Sequence, residues 1–246
     1  MKLTKIALAT AMTVAAGTAS AETYFYDNSL TALYGQSYEV IESDQAVVTF
    51  EHYSANSWGD IFVFADRLMS TGDENQDQTQ TYIEVAPRFK VSDFDAGFVK
   101  NVYIATTWEM SEDNDDFLIG LGTDFNIPGF QNLSFNAYQR LNDDGDNNYQ
   151  TTTVWGVPFA IAGQNFKFDG FWDWATATDD RAATSNFTYQ LKWDAASVLG
   201  TDNKVYVGIE HATWNNKFAL EDGELGDYGI NDSNENVVSA LVKVHF

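Results

Sequence analysis

The sequence predicts an all-β fold: a transmembrane antiparallel β-barrel of twelve strands. Three observations lead there. Apolar residues recur at every second position, in segments of about ten residues. The connections between segments alternate between short and long, and aromatic residues gather at segment ends. A period of two sends successive side chains to opposite faces of a strand. A segment of about ten residues is what a tilted strand needs to cross a bilayer. Alternation alone serves a soluble sandwich equally well, because both architectures have one wet face. Strand length, loop asymmetry and the aromatic ends favour the barrel.

Residues 1–21 read as a secretory signal peptide. Lys2 and Lys5 form a basic start, residues 6–16 are apolar and uncharged, and Ala19-Ser20-Ala21 supplies a small-x-small cleavage site. The apolar run is too short for a membrane-spanning helix, which takes about 20 residues. Cleavage after Ala21 removes two lysines and no acid, and residues 22–246 form the barrel.

The strand centres fall near residues 34, 50, 62, 85, 104, 121, 136, 154, 170, 190, 208 and 241. The last is the clearest: Val238, Ala240, Val242, Val244 and Phe246 share one face, against Ser239, Lys243 and His245, with Leu241 the exception. Leu133, Phe135 and Ala137 alternate with Ser134, Asn136, Tyr138 and Arg140. Phe187, Tyr189, Leu191 and Trp193 alternate with Thr188, Gln190, Lys192 and Asp194. Twelve is even, as a bacterial barrel with both termini in the periplasm requires; ten or fourteen strands fit the weak signal per strand as well. Short turns at 54–57, 90–97, 127–131, 161–165 and 195–203 are expected on the periplasmic side. Acidic runs at 70–78, 111–116, 142–148, 178–183 and 221–236 are expected outside. Trp58, Trp108, Trp174, Trp193, Trp214 and Phe246 are expected in interfacial belts.

Composition narrows the function. The 246 residues hold 36 acids against 13 bases, a formal charge of -23, which disfavours a nucleic-acid polymer as partner. Zero cysteines exclude disulfides, zinc–thiolate sites and a thiol nucleophile. The acidic runs lack the spacing of a calcium loop and read as solvated loops, so no metal or cofactor is expected. His52, His211 and His245 lie on three different segments, and no hydrolase or nucleotide-binding motif is present. A non-enzyme is expected.

The polar side of each strand lines the lumen. In WGDIFVFADR (58–67), Asp60, Phe62, Phe64 and Asp66 share one face and Ile61, Val63 and Ala65 the other. Residues 167–173 repeat the theme with Asp169, Phe171 and Asp173 beside Lys167. Glu51 and Tyr53, then Tyr82, Glu84 and Arg88, follow the same parity. Aromatic rings among carboxylates suit a solute with a flat π-face and several hydroxyls, and a nucleoside has both. The same rings serve equally well as packing that fills a narrow barrel.

The stretches YIEVAPRF (82–89), LIGLGTDF (118–125) and LSFNAYQR (133–140) resemble the nucleoside-specific channel-forming outer-membrane proteins, the Tsx/OmpK-like group. FEHYS (50–54) with WGDIFVFADR and the terminal ALVKVHF (240–246) fit as well, and PRF and GLGTD are the most specific pieces. The resemblance implies a monomeric twelve-stranded barrel in the Gram-negative outer membrane, surrounded by lipid and lipopolysaccharide. It also implies passage of nucleosides and deoxynucleosides, and service as a phage or colicin receptor through the outer loops. Matching segments carry over Glu51, Asp60, Phe62, Phe64, Asp66, Glu84, Arg88 and Asp124 as lumen residues. The outer loops are shorter than the family pattern, and Ala86 stands where that pattern carries an acid. A surface receptor or adhesin and a non-specific porin are the competing functions.

Overall fold

A computed structural model describes residues 22–40, 44–71, 79–112, 114–220 and 232–246. The expected signal peptide and most of the acidic runs at 70–78 and 221–236 lie outside the described residues. The rest form twelve antiparallel strands: β1 (Thr23–Gly35), β2 (Gln45–Asn56), β3 (Gly59–Ser70), β4 (Thr79–Ala96), β5 (Val99–Met110), β6 (Asp115–Phe125), β7 (Asn132–Leu141), β8 (Asn148–Ile161), β9 (Gln164–Ala175), β10 (Thr184–Asp194), β11 (Val205–Asn215) and β12 (Glu235–His245). Each pairs with its sequence neighbours, and β1 pairs with β12 from Ser29↔His245 to Gly35↔Ser239, which closes the barrel. Closure gives every strand a hydrogen-bonded neighbour on both sides and leaves no open sheet edge.

The alternation is visible as burial. Along β12, Val237, Ser239, Leu241 and Lys243 are buried, while Asn236, Val238, Ala240 and Val242 are exposed. β1 shows the same, with Ser29, Thr31 and Leu33 inside and Leu30, Ala32 and Tyr34 outside. The sense is inverted relative to a water-soluble protein. The buried positions include Thr49, Asp60, Glu109, Asp116 and Lys192, and the exposed ones include Leu121, Leu191, Val207, Ile209 and Val242. An apolar outer band around a polar interior is the pattern of a barrel that sits in lipid. No helix among the described residues is long and apolar enough to cross a membrane.

Connections differ between the two ends. At the end that carries both termini, β2–β3 turn at residues 57–58, β4–β5 at 97–98 and β8–β9 at 162–163. Ala162 (φ 52°) and Gly163 (φ 77°) are both left-handed, the conformation of a tight hairpin turn. The β10–β11 connection holds one short helix, α1 (Ala196–Leu199). Three expected turns shorten: residues 90–96 continue β4, 54–56 belong to β2, and of 161–165 only 162–163 lie outside β8 and β9. At the other end, Asp115 and Asp116 begin β6, and Asn148 begins β8. The β1–β2 connection, whose described part includes residues 36–40, is a further outer loop not expected from the acidic runs.

The exception in the last strand has a reason. Leu241 faces inward and packs with Leu33, Val47 and Leu68, an apolar patch on the lumen wall. Trp214 also departs from expectation. It pairs with Glu235 and Asn186, whose side chains are buried inside the barrel, so it faces the lumen and not the outer belt. Trp174 is exposed on the outer face, and Trp193 there donates Nε1–H to Gln164 Oε1 at 3.0 Å.

Candidate functional site: the lumen

The two most specific sequence pieces meet inside the wall. In PRF, Pro87 has no N–H to give the β4–β5 ladder, and its carbonyl instead accepts from Thr106 Oγ1 at 2.9 Å. Phe89 points outward onto Trp58, with ring centroids 5.4 Å apart. Arg88 points inward between them. Its Nε and Nη2 donate to the two oxygens of Asp60 at 2.8 and 2.6 Å, and its Nη1 lies 3.0 Å from Asp124 Oδ1. The guanidinium lies 4.3 Å above the ring centroid of Tyr103, whose hydroxyl donates to Asp124 at 2.7 Å. In GLGTD, Gly120 and Gly122 face inward without side chains. A Cβ at Gly120 would stand 1.8 Å from the Ala137 carbonyl oxygen, so the β7 backbone approaches β6 this closely only because that position is bare.

Next to this cluster runs an aromatic ladder. Phe62 and Phe64 have centroids 6.4 Å apart, and Phe64 meets Tyr82 edge-on at 6.4 Å. The register sets Phe64 between Glu51 and Glu84, Phe62 between Tyr53 and Ala86, and Asp66 between Thr49 and Tyr82. The Tyr82 hydroxyl donates to Glu84 at 2.8 Å, and Thr49 donates to Asp66. Both phenylalanines are half-buried. The ladder therefore presents ring faces flanked by acceptors.

The facing wall carries lysines. Lys192 is fully buried, with Nζ 2.8 Å from Asp169, 2.7 Å from Gln190 Oε1 and 5.6 Å from the Tyr206 ring centroid. Lys167 stands 3.3 Å from the same Asp169. Lys243 pairs with Glu51, which also accepts from Ser29 Oγ at 2.9 Å. Phe171 sits in register between Val154 and Thr188, and Asp173 accepts from Thr152 Oγ1.

The outer mouth is more strongly tied. Arg140 reaches Glu109 at 2.9 Å, Asp116 at 2.6 Å and Gln150 at 2.6 Å. Beyond β11, Lys217 is buried, pairs with Glu235 at 2.6 Å and lies 5.5 to 5.7 Å from the ring centroids of Tyr38, Trp214 and Phe218. Burial pushes the Lys217 ammonium below its ordinary value, against the pull of Glu235. Tyr38, in the β1–β2 loop, turns inward and shares a hydrogen bond with Ser239 at 3.3 Å. Burial raises its hydroxyl, and the carboxylates of Glu210, Glu235 and Asp66 add to the rise.

All thirteen residues selected from sequence occupy inward positions. Direct contact joins Asp60, Arg88 and Asp124, and links Phe62, Phe64, Tyr82 and Glu84 in series. Glu51, Tyr53, Asp66, Asp169, Phe171 and Asp173 are set around them by register. Sequence reasoning passed over Lys192, Lys243, Arg140, Glu109 and Tyr103. The first three stood on the polar side of the alternation, but a lone cation there carries no local sign of its carboxylate, which lies on another strand.

Residues 22–240 match the family described as nucleoside-specific channel-forming protein, Tsx. Among solved structures, a KdgM porin is similar at 9% identity with a TM-score of 0.51, covering 89% of this chain and 99% of that one. A KdgM porin in complex with disordered oligogalacturonate is similar at 7% identity with a TM-score of 0.48, covering 89% and 98%. The first likeness is one of fold. No curated protein sequence matches the chain.

Proposed function

The chain belongs to the nucleoside-specific channel-forming family, an outer-membrane channel, and from that premise we propose that it passes nucleosides and deoxynucleosides by diffusion. The observation that carries the reading is the Phe62–Phe64–Tyr82 ladder, flanked by Glu51, Glu84 and Asp66. A base stacks on aromatic faces at about 1–3 kcal/mol per base. Ribose hydroxyls donate to carboxylates, and the facing wall with Asp169, Phe171 and Asp173 offers the same two chemistries. Tyr53 and the Asp60–Arg88–Asp124 cluster frame the inner end of the path. Such contacts concentrate the solute without trapping it, because each is weak and several lie in series. No cofactor is needed. The same reading places residues 1–21 as the export signal and the barrel in the Gram-negative outer membrane, as a monomer. The acidic outer loops are where a phage or colicin would dock.

The test is single-channel conductance in planar bilayers with adenosine titrated into the bath. Saturable block at submillimolar to millimolar adenosine is expected, with ribose alone much weaker. Permeation set by solute size, with no block, would indicate a general porin. No conductance at all would leave a receptor barrel.

A further inference from the structure

Carboxylate pairing changes along the barrel axis. In the inner half, the lumen carboxylates of Asp60 and Asp124 share Arg88, Glu51 holds Lys243, and Asp169 holds both Lys192 and Lys167. Nearer the rim, Asp27 bonds His245 at 2.7 Å and Asp194 accepts from the Ala196 N–H at 3.0 Å. From the middle of the barrel outward the pattern reverses. Glu210, Asp66, Glu84 and Asp173 face the lumen with hydrogen bonds only from neutral groups: Gln190, Thr49, Tyr82 and Thr152. None of the four forms an ion pair among the described residues. Glu109 and Asp116 share the single Arg140, which leaves that group net negative as well. Glu235, by contrast, is paired with Lys217.

We propose that the channel is cation-selective, with Glu210, Asp66, Glu84 and Asp173 as the groups that select. A carboxylate locked to a guanidinium or ammonium projects only a short-range dipolar field. One held only by hydroxyls and amides has no cation beside it to cancel its field toward the lumen. Within a narrow pore, low-dielectric walls focus that field along the axis, and a ring of uncompensated carboxylates favours cations. The acidic outer loops carry the same sign: Asp144, Asp146, Asp179 and Asp180 lie in the described loops at the outer end, with Arg181 among them. The outer half thus gathers small cations, and the inner half, with its charges paired, lets them leave.

The inference rests on the channel reading but not on nucleoside binding, so the two are tested separately. The full mature chain is reconstituted in planar bilayers under a tenfold KCl gradient at pH 8 without nucleoside. The reversal potential is expected to give a potassium-to-chloride permeability ratio of about tenfold or more. The D66N/E84Q/D173N/E210Q variant, which keeps the hydrogen-bonding shapes, is expected to lower that ratio at least about threefold. K217M/E235Q, which removes a paired charge of each sign, is expected to change it less than about twofold. Should the quadruple variant not fold, D66N and D173N singly must each lower the ratio. A ratio near one, a preference for chloride, or an equal fall in K217M/E235Q overturns the proposal. Absence of any current overturns both it and the channel reading. Cation selectivity without adenosine block supports it while removing the nucleoside reading.

Discussion

Arg88 and Phe64 face the same lumen from adjacent strands, β4 and β3, yet their surroundings differ in kind. Arg88 is enclosed: two carboxylates and a tyrosine ring occupy its nitrogens and its face. Phe64 is half-buried, with Phe62 and Tyr82 beside it and carboxylates in register on both sides. A charge whose carboxylates are supplied by the wall has little left to offer a solute, and its role is to fix four strands, β3 to β6, against one another. A half-buried ring keeps part of its surface for contact that the fold itself does not use. Within one polar lumen, satisfied groups hold the barrel's shape and unsatisfied ones are left for a permeating molecule.

That contrast can be broken at several points. The largest effect is expected from Arg88→Met, which leaves Asp60 and Asp124 without their cation. Removing one partner of a buried pair costs about 3–5 kcal/mol, read as a lowered urea midpoint for folding in lipid vesicles. An unchanged midpoint would mean that lumen water solvates both acids. Next comes the F62A/F64A double variant, which deletes ring faces but no ion pair. Loss of a stacking contact of about 1–3 kcal/mol should weaken adenosine block at least about fivefold, with the urea midpoint nearly that of the parent. Block that is unchanged sinks the stacking proposal. Gly120→Val tests the bare position in GLGTD: its side chain meets backbone at Ala137, and a stability loss of about 1–3 kcal/mol is expected. The smallest effect belongs to Glu84→Ala. One hydrogen bond of about 0.5–1.5 kcal/mol corresponds to roughly two- to tenfold weaker block. It should be detectable with adenosine and reduced with a solute that lacks ribose hydroxyls.

Much of this contrast was legible in the sequence. The period of two assigned Asp60, Phe62, Phe64 and Asp66 to one face because the parity of a strand holds from end to end. The centres expected near 50, 104, 136 and 154 fall within β2, β5, β7 and β8 for the same reason. Where the reading slipped, the pattern was not local. The centre near 34 sits at the end of β1 because Thr23 to Asn28 are polar or aromatic and show no clean alternation. Residues 90–96 resemble a turn in composition yet extend β4, since β5 supplies hydrogen-bond partners as far as Val99. Trp214 was placed in the belt by residue type, but it turns inward at a mouth where Lys217 offers its ammonium. Leu241 is an exception to the polar face because its partners, Leu33 and Val47, lie on other strands.

The sequence by itself determined that the chain forms a barrel and which side chains face its interior, because facing follows from position parity and parity is counted along one chain. Tertiary structure alone decided which of those side chains meet. Glu51 and Lys243 are 192 positions apart and touch only because β1 closes on β12. Asp124 reaches Arg88 because β4, β5 and β6 pair in one register out of many. Pairing across strands depends on stagger and closure, properties of the whole sheet. The division between carboxylates that hold a cation and carboxylates that do not is written there, and no segment of the chain records it.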